Sequence, residues 1–595
     1  MTLCCPKVTP DSSVLASRAQ IEIDDEIVAL EERTRALRTR RNSLSPISSI
    51  PPELLSAIFV HHAQQTQFLH DPDSPDVLSW LIVGHICRHW RGVALGTPEL
   101  WATPFLNSST ATDEMLTRSK MAPLNLKIGR RYRIDAIQKA LMHIERLQVV
   151  SLLFLHGDTA GHRCIMEFID KLSSCSAPRL KSLALDVGDK QTPQIVIPIS
   201  FSAPNLCKLQ IKHCDLSWAS SVLTGLTVLH IKKVSLERLP TLDELVSALR
   251  RMPALHTLTL EDALPTLSPH TVSLPHKSHT MNVQLLHLKQ LRLTAKMLEV
   301  ANMLTCIESP TSEVVRLVCR ASSGDPNQEW NLSLPVISRA LESCFKDTPN
   351  DFRQVPRSMQ LSSPSSCIRL HYSTVRNPLS WAREMSCHDA DLSAECPVIL
   401  DFDFPIEMRR TILSDLGKVV PLGSIEAMYC DFFFACWDGF WADILTRGGA
   451  RNLAYMYLRG PNQALEELLK SLRSRKHSVS RSVGGRSQQE PIFSPALSHL
   501  VFHDLEFDSS VSNWMRPSDF LDVLMDRVNE GRGLEHLTIT STSGIFARDV
   551  QLLREVVADV SWDEYESDEE YFTDTEDDYD GDFIDYEDYS DGYVS

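Results

Sequence analysis

Apolar residues recur at helical spacing directly after residue 50. Leu54, Leu55, Ile58 and Phe59 occupy positions i, i+1, i+4 and i+5, so they share one stripe of an α-helix. The Pro-Pro-Glu run at 51–53 suits a first helical turn, because a missing N–H costs nothing there and glutamate favours the positive end of the helix dipole. The pattern predicts a helix that begins near residue 52 and buries its stripe, within the chain or against another protein.

An earlier apolar stripe predicts an amphipathic helix over residues 17–42. It follows the 4,3 spacing of a coiled coil, with polar interruptions at Thr34 and Arg41. Its apolar members are Ile23, Ile27, Leu30, Leu37 and Leu44. Two interpretations are open: the stripe packs beside the segment at 48–101, which we favour, or it pairs two chains weakly as a short coiled coil.

A six-residue pattern, Leu-x-x-Leu-x-Leu/Ile, recurs after residue 101. Early copies start at Leu180, Leu206, Leu226, Leu255 and Leu288. The intervals between these starts are 26, 20, 29 and 33 residues. Late copies, with some Met and Phe substitutions, start at Leu453, Leu497 and Leu534. Small or proline-containing turns precede three early copies, which is typical of a strand entered from a loop. Helices are predicted over 243–250, 463–472, 517–528 and 547–558, and the pattern fades between about 300 and 440.

This recurrence resembles irregular leucine-rich repeats, in which each unit is one strand plus a helix and no unit buries its apolar face alone. The resemblance implies an array over residues 102–560, with stacked strands lining a concave surface and the last helix as a cap. The alternative is ordinary strand-and-helix core in two unrelated α/β domains. The predicted fold class is therefore α+β or α/β: N-terminal helices followed by an irregular leucine-rich-repeat solenoid.

The helix after residue 50 is the first half of a longer motif. The second half reads Ile-Cys-Arg-His-Trp-Arg at 86–91 and Pro-Glu-Leu-Trp at 98–101. In this order the two halves resemble the F-box family, whose motif starts with Leu-Pro-x-Glu-Ile/Leu and closes on Val-Cys-Arg-x-Trp-Arg. Ile50 and Ile86 replace the usual Leu and Val, and a polar loop from His70 to Asp76 lengthens the spacing. The resemblance covers residues 48–101; the alternative is a helical hairpin with a tryptophan core.

The F-box resemblance implies a three-helix module that docks onto the Skp-type linker subunit of a cullin-based ubiquitin ligase. Carried over by motif position, the linker-binding residues are Pro51, Leu54, Leu55, Ile58, Phe59, Ile86 and Trp90. Trp90 suits the module's own core equally well, because spacing alone does not say which face of a helix points outward.

The formal charge of −18 is concentrated at one end of the 595-residue chain. From Asp563 to Ser595 there are 16 Asp and Glu and no Lys or Arg, which leaves −2 for the rest. This composition predicts a disordered acidic tail over 561–595, and a polar start predicts disorder over 1–16.

Fifteen cysteines without a CxxC pair, no leader peptide and no apolar run approaching 18 residues predict a soluble cytoplasmic or nuclear protein that contacts no membrane.

Common catalytic signatures are missing from the sequence, which has no GxxxxGK[ST], GxGxxG, HExxH or GxSxG run. His270, His276 and His279 have a spacing that could suit a metal, but they lie among Pro, Ser and Thr, so a solvated loop is the favoured interpretation. Asp401 and Asp403 alternate with apolar residues and predict a strand with an exposed acidic edge rather than a catalytic pair. We therefore expect no enzyme, no metal and no cofactor.

Basic residues stand at positions between the repeated leucines, where a bound client protein would lie. These candidate client-binding residues are Lys208, Lys212, His230, Lys232 and Arg292. They would suit an acidic or phosphorylated segment, although Glu261 and Asp262 dilute the positive charge. A Ser/Arg-rich stretch at 471–489 predicts a disordered loop, and nucleic-acid binding is not expected because no aromatic platform stands beside it.

The expected function is therefore substrate recognition within a cullin-type ubiquitin ligase. The F-box would hold the Skp-type linker, and the repeat array would bind a client protein whose identity the sequence does not give. Two alternatives stay open: a non-degradative binding scaffold of the same architecture, and an acidic-tailed chaperone of basic nuclear proteins.

Overall fold

The computed structural model describes most of the chain in separate ranges. They are 10–69, 74–129, 131–154, 158–186, 195–197, 201–268, 282–308, 314–345, 356–363, 367–373, 398–419, 422–432, 451–460, 496–507 and 516–565, with a few single positions and two pairs between them. The predictions for residues 1–9, for the loop at 471–489 apart from Leu472, for the histidines at 270, 276 and 279, and for the tail after 565 lie outside these ranges. The chain forms two compact units, Met1–Tyr429 with Asp438–Ala450 and Cys430–Trp437 with Arg451–Ser595.

The first unit begins with helices. Its α-helices are α1 (Pro10–Ser43), α2 (Pro52–Leu69), α3 (Val83–Ile86), α4 (Arg88–Gly96), α5 (Ser109–Arg118), α6 (Ile134–Leu141), α7 (Thr159–Ser174), α8 (Leu242–Arg250), α9 (Met297–Cys306), α10 (Pro326–Phe345) and α11 (Arg409–Val419). Short 3-10 segments at Pro46–Ser49, Pro75–Ile82 and Pro98–Trp101 connect and follow the first four helices.

Helix α1 differs from its prediction in two ways. It begins at Pro10, so residues 10–16 are helical rather than disordered. The stripe of Ile23, Ile27, Leu30 and Leu37 is about half exposed or more, so the favoured interpretation, that it packs beside the segment at 48–101, is wrong. The observed contacts between α1 and α4 include an ion pair of Glu32 with Arg88 at 3.8 Å, a polar contact that leaves the stripe uncovered.

Strands follow the N-terminal helices. In chain order they are β1 (Leu124–Lys127), β2 (Leu147–Leu153), β3 (Ser182–Asp186), β4 (Ile195–Ile197), β5 (Lys208–Lys212), β6 (Cys214–Leu216), β7 (Val228–Lys232), β8 (Thr257–Glu261), β9 (Val283–Gln284), β10 (Gln290–Lys296), β11 (Ile307–Glu308), β12 (Val314–Arg320), β13 (Ser358–Ser363), β14 (Cys367–Ser373), β15 (Val398–Asp403) and β16 (Ala427–Phe432). The main sheet runs in the order β1-β2-β3-β5-β7-β8-β10-β12-β15-β14-β13 through the first unit.

The repeated leucines stand side by side in this sheet. In the parallel register, Leu183 lies opposite Leu209, Leu209 opposite Leu229, Leu229 opposite Leu258, and Leu258 opposite Leu291. All five side chains are buried. Full burial of a leucine contributes roughly 1.5–3 kcal/mol, so this row is a main source of the unit's stability.

The second unit carries the late copies of the pattern. Its strands β17 (Tyr455–Arg459), β18 (His499–His503), β19 (His536–Thr540) and β20 (Asp559–Trp562) run parallel, and its helices are α12 (Pro517–Asn529) and α13 (Ala547–Val556). Strand β20 follows α13, so this helix is not the terminal cap, and residues 561 and 562 belong to a strand rather than to a disordered tail. The helix expected over 463–472 lies mostly outside the described residues.

The predicted solenoid is wrong. In each unit the strands form a mostly parallel sheet with helices, which is an α/β arrangement. A regular unit of one strand plus one helix is not followed: β5 and β7 are joined through β6 and a 3-10 turn at Ser221–Leu223, and β13, β14 and β15 pair antiparallel. Short apolar runs indicate buried strands but do not specify what connects them. The prediction of a concave surface depended on the solenoid, so it is no longer supported.

Five strands are each followed by a residue in the left-handed backbone region. With φ between 49° and 55°, these residues are His213, Lys233, Asp262, Asp504 and Ser541. The conformation turns the amide towards the neighbouring strand: the Lys233 N–H donates to the Glu261 carbonyl at 2.7 Å, and the Asp262 N–H donates to the Thr294 carbonyl at 2.8 Å. A non-glycine residue pays about 1–2 kcal/mol for this conformation, which the hydrogen bond offsets in part.

Among the described residues, no helix combines the length and the apolar character that crossing a bilayer requires.

Candidate protein-docking site

Helix α2 has a buried face and an exposed apolar face. Leu55, Phe59 and Ala63, spaced four residues apart, are at most 4% exposed. Their neighbours Leu54 and Ile58 are 59% and 52% exposed, although they are equally apolar. Leu54 and Ile58 lie about 100° around the helix axis from Leu55 and Phe59, so burying the second pair leaves the first in solvent.

The buried face of α2 belongs to a core rich in tryptophan. Trp80 and Trp101 meet edge to face with ring centroids 5.4 Å apart, a favourable aromatic geometry. The Trp101 indole Nε1–H donates to the Ala94 carbonyl at 2.9 Å. The core comprises Leu55, Phe59, Ala63, Trp80, Val83, Ala94, Leu100, Trp101 and Met115. Leu55 and Phe59, which the motif placed among the linker-binding residues, therefore support the module from inside.

Trp90 lies between these two roles. Its indole is half-buried and packs on the Phe59 ring at a centroid distance of 5.0 Å. The geometry explains why both interpretations suited the sequence: one part of the ring contacts the core and the rest reaches solvent.

Cys87 sets the direction of α4. Its backbone is extended, and its Sγ accepts a hydrogen bond from the Trp90 N–H at 3.4 Å, as a helix N-cap does. The Cys87 carbonyl accepts the first helical bond from the Arg91 N–H at 3.0 Å. This cap ends α3 and begins α4, which places Ile86 and Trp90 on opposite sides of a break in the helical path.

An apolar surface remains outside the completed core. We call Leu54, Ile58, Ile82 and Ile86 the apolar ridge; each is more than half exposed. The ridge residues lie on α2, on the 3-10 segment Pro75–Ile82 and on α3, which pack against one another. Ile82 was missed from the sequence because it falls in the long spacer between the motif halves. Pro51 is also exposed, directly before α2.

A groove borders the ridge at Ile86. It encloses about 420 Å³ between the C-terminal half of α1 and residues 86–89, and its lining includes Arg35, Arg38 and Arg88. A partner that covers Ile86 would therefore meet guanidinium groups next to an apolar side chain. Arg35 and Arg88 pair with Glu31 and Glu32, which neutralises part of the positive charge of this rim.

The candidate client-binding residues lie on β5, β7 and β10, but acidic neighbours neutralise much of their charge. Lys212 pairs with Asp186 at 2.7 Å, and Lys232 pairs with Glu261 at 2.8 Å. His230 shares a hydrogen bond with the Gln210 amide at 2.8 Å. Burial, followed by nearby Lys208 and Lys232, lowers the pKa of His230 to about 4, so the ring is neutral at pH 7. Positive charge is thus weaker here than the sequence suggested.

Asp401 corrects a second prediction. It is 5% exposed rather than part of an exposed acidic edge, whereas Asp403 is exposed. The Asp401 carboxylate accepts from Arg369 Nε at 2.8 Å and lies 3.7 Å from an Arg316 guanidinium nitrogen. The arginines come from the strands on either side of β15, a relation that alternation within one strand cannot show.

Comparison with protein-family models and with curated proteins finds no match to this chain.

Proposed function

We propose that this chain is the substrate-recognition adaptor of a cullin-type ubiquitin ligase. Residues 48–101 would dock the Skp-type linker, and the strand-rich remainder would hold a client protein. The observation that carries the proposal is the apolar ridge: Leu54, Ile58 and Ile86 are exposed on a module whose core is complete without them. Uncovered apolar side chains of this kind mark protein interaction surfaces.

The order of the sequence motif gives independent support. Three ridge residues fall at positions where the F-box resemblance expects linker contact, and Trp90 offers the partly exposed aromatic ring that is typical of a binding hot spot. In this role the chain accelerates ubiquitin transfer by proximity and contributes no catalytic group. The role requires a cytoplasmic or nuclear location, where linker and cullin operate.

A pull-down with a matched control tests the proposal. The full chain should capture the Skp-type linker and the cullin, and the double variant Leu54→Asp, Ile58→Asp should lose both at least tenfold, because charges would replace the centre of the ridge. Gln64→Asp introduces a charge at an exposed position of the same helix and should leave capture unchanged.

Two outcomes contradict the proposal: no capture of the linker by the wild-type chain, or equal capture by the double variant. Circular dichroism of each variant separates a lost contact from a lost fold. Client turnover then divides the adaptor from the non-degradative scaffold, because only an adaptor's client accumulates when the proteasome is inhibited.

A further inference from the structure

Two histidines of the second unit stand face to face on neighbouring strands. His499 opens β18 and His536 opens β19, and the parallel register pairs them directly. Their rings are stacked, with centroids 4.4 Å apart and planes inclined by 29°. This places two imidazoles at one end of the strands, with solvent access.

Glu535 completes a group of three potential ligands. One ligand atom from each of His499, Glu535 and His536 lies within 4.8 Å of the others. Backbone hydrogen bonds fix their relative positions: the amides of Glu535 and His536 both donate to the Ser498 carbonyl, at 2.8 and 3.0 Å. Ligands in a tetrahedral zinc site are about 3.3 Å apart, since each lies about 2.0–2.1 Å from the ion, so the three ligand atoms would move towards one another on binding.

The outer hydrogen bonds orient both rings for metal binding. His499 Nδ1 lies 2.8 Å from the Ser498 hydroxyl, and His536 Nδ1 lies 2.9 Å from the Asp559 carboxylate. The Ser498 hydroxyl donates to the Ala454 carbonyl, so it accepts from the Nδ1–H of His499, and the Asp559 carboxylate accepts from the Nδ1–H of His536. In these tautomers Nε2 of each ring has the lone pair that a metal ion needs. A carboxylate that holds the far nitrogen of a ligating histidine is a recurrent feature of zinc sites, because it fixes the ring and raises its basicity.

We propose that His499, Glu535 and His536 bind a divalent transition metal ion, zinc in the first place, with Asp559 as the orienting partner of His536. Three protein ligands leave a fourth position for water or for a donor from another molecule. Two imidazoles with one carboxylate suit zinc better than calcium or magnesium, which prefer oxygen ligands. The ion would join the starts of β18 and β19 and hold Glu535 against them.

Without a metal, the same residues would form a stacked histidine pair beside two exposed carboxylates. Binding of a metal probe distinguishes the proposed metal site from such a metal-free pair.

Cobalt spectroscopy on the full chain provides the test. Co²⁺ added to metal-free protein should give the visible absorption of a four-coordinate site, with one equivalent lost in His536→Ala and in His499→Ala. Zn²⁺ should displace that equivalent. Asp559→Asn should keep the site but weaken its affinity about 10–100-fold, which is the usual effect of removing an orienting partner.

His503→Ala is the matched control, because His503 lies on the same strand, outside the three-ligand group. It should retain the full cobalt signal. The proposal is overturned if wild-type protein and His536→Ala bind equal numbers of Co²⁺ with the same spectrum, or if His503→Ala loses as much signal as His536→Ala. Because His536 and Asp559 are exposed and His499 and His503 are only partly buried, these substitutions should leave the fold intact, and circular dichroism checks this.

Discussion

Lys233 adopts a left-handed backbone conformation although its side chain is exposed. This conformation costs conformational energy because the Cβ of Lys233 crowds the following carbonyl oxygen. It is stabilised by the hydrogen bond that the Lys233 N–H donates to the Glu261 carbonyl on the next strand. The side chain is therefore dispensable for the turn, whereas the backbone geometry is required.

Replacing Lys233 separates these effects. Lys233→Gly should stabilise the protein by about 0.5–1 kcal/mol, because the relief of backbone strain exceeds the added flexibility of glycine in the unfolded chain. Lys233→Val should destabilise it by more than 1 kcal/mol, because a β-branched side chain tolerates positive φ poorly. Urea unfolding measures both; equal stability of the two variants would contradict the account.

The residues that escaped prediction at this scale share one property: their roles depend on neighbouring strands. Asp401 is buried because Arg316 and Arg369 flank it across the sheet. His499 and His536 are separated by 36 intervening residues and meet only through strand pairing. Neither the burial of Asp401 between two arginines nor the pairing of the two histidines can be predicted from residues adjacent in the sequence.

At the scale of elements, α2 divides its apolar residues between a buried face and an exposed face. Leu55 is 1% exposed and packs in the tryptophan core, while Leu54, its neighbour in the chain, is 59% exposed on the apolar ridge. The same residue type therefore occupies a buried and an exposed environment at adjacent positions.

This division predicts opposite effects for two similar substitutions. Leu55→Ala should cost about 2–5 kcal/mol of unfolding free energy, since it opens a cavity in the core. Leu54→Ala should change stability by less than about 0.5 kcal/mol, because surface positions rarely contribute more. Urea unfolding followed by circular dichroism measures both values. Comparable losses from both substitutions would show that Leu54 is also part of the core.

Elements with a strong period were placed well from the sequence, and their connections were not. The strands at Leu183, Leu209 and Leu229 follow from their spacing, because alternating burial needs only local pattern. The antiparallel pair β13–β14 carries no leucine pattern and was missed. In the candidate docking site the apolar stripe was visible, but its division into core and surface depends on tertiary packing around Trp80.

At the scale of the whole molecule, buried neutral histidines make stability depend on pH. Burial lowers the pKa of His230 to about 4 and that of His371 to about 3. An unfolded histidine titrates near pH 6.5, so between pH 6.5 and 4 the unfolded chain binds protons that the folded chain excludes. Stability from these groups is complete above pH 6.5 and falls as the solution is acidified below it.

His230→Gln isolates one such contribution. Between pH 7 and pH 5 the wild-type protein should lose about 1–2 kcal/mol more unfolding free energy than the variant, because glutamine does not take up a proton. Urea titrations at both pH values measure the difference. An identical pH dependence in the two proteins would show that His230 keeps its ordinary pKa in the fold.

The apolar ridge also has a consequence for how much of the protein a cell can hold. A chain synthesised without the linker that we propose exposes Leu54, Ile58, Ile82 and Ile86 to other proteins. Chaperones and proteases act on molecules that expose apolar surface, and aggregation removes others. Under the proposed function, the abundance of this chain should therefore follow that of the linker, and recombinant production should improve when both are synthesised together.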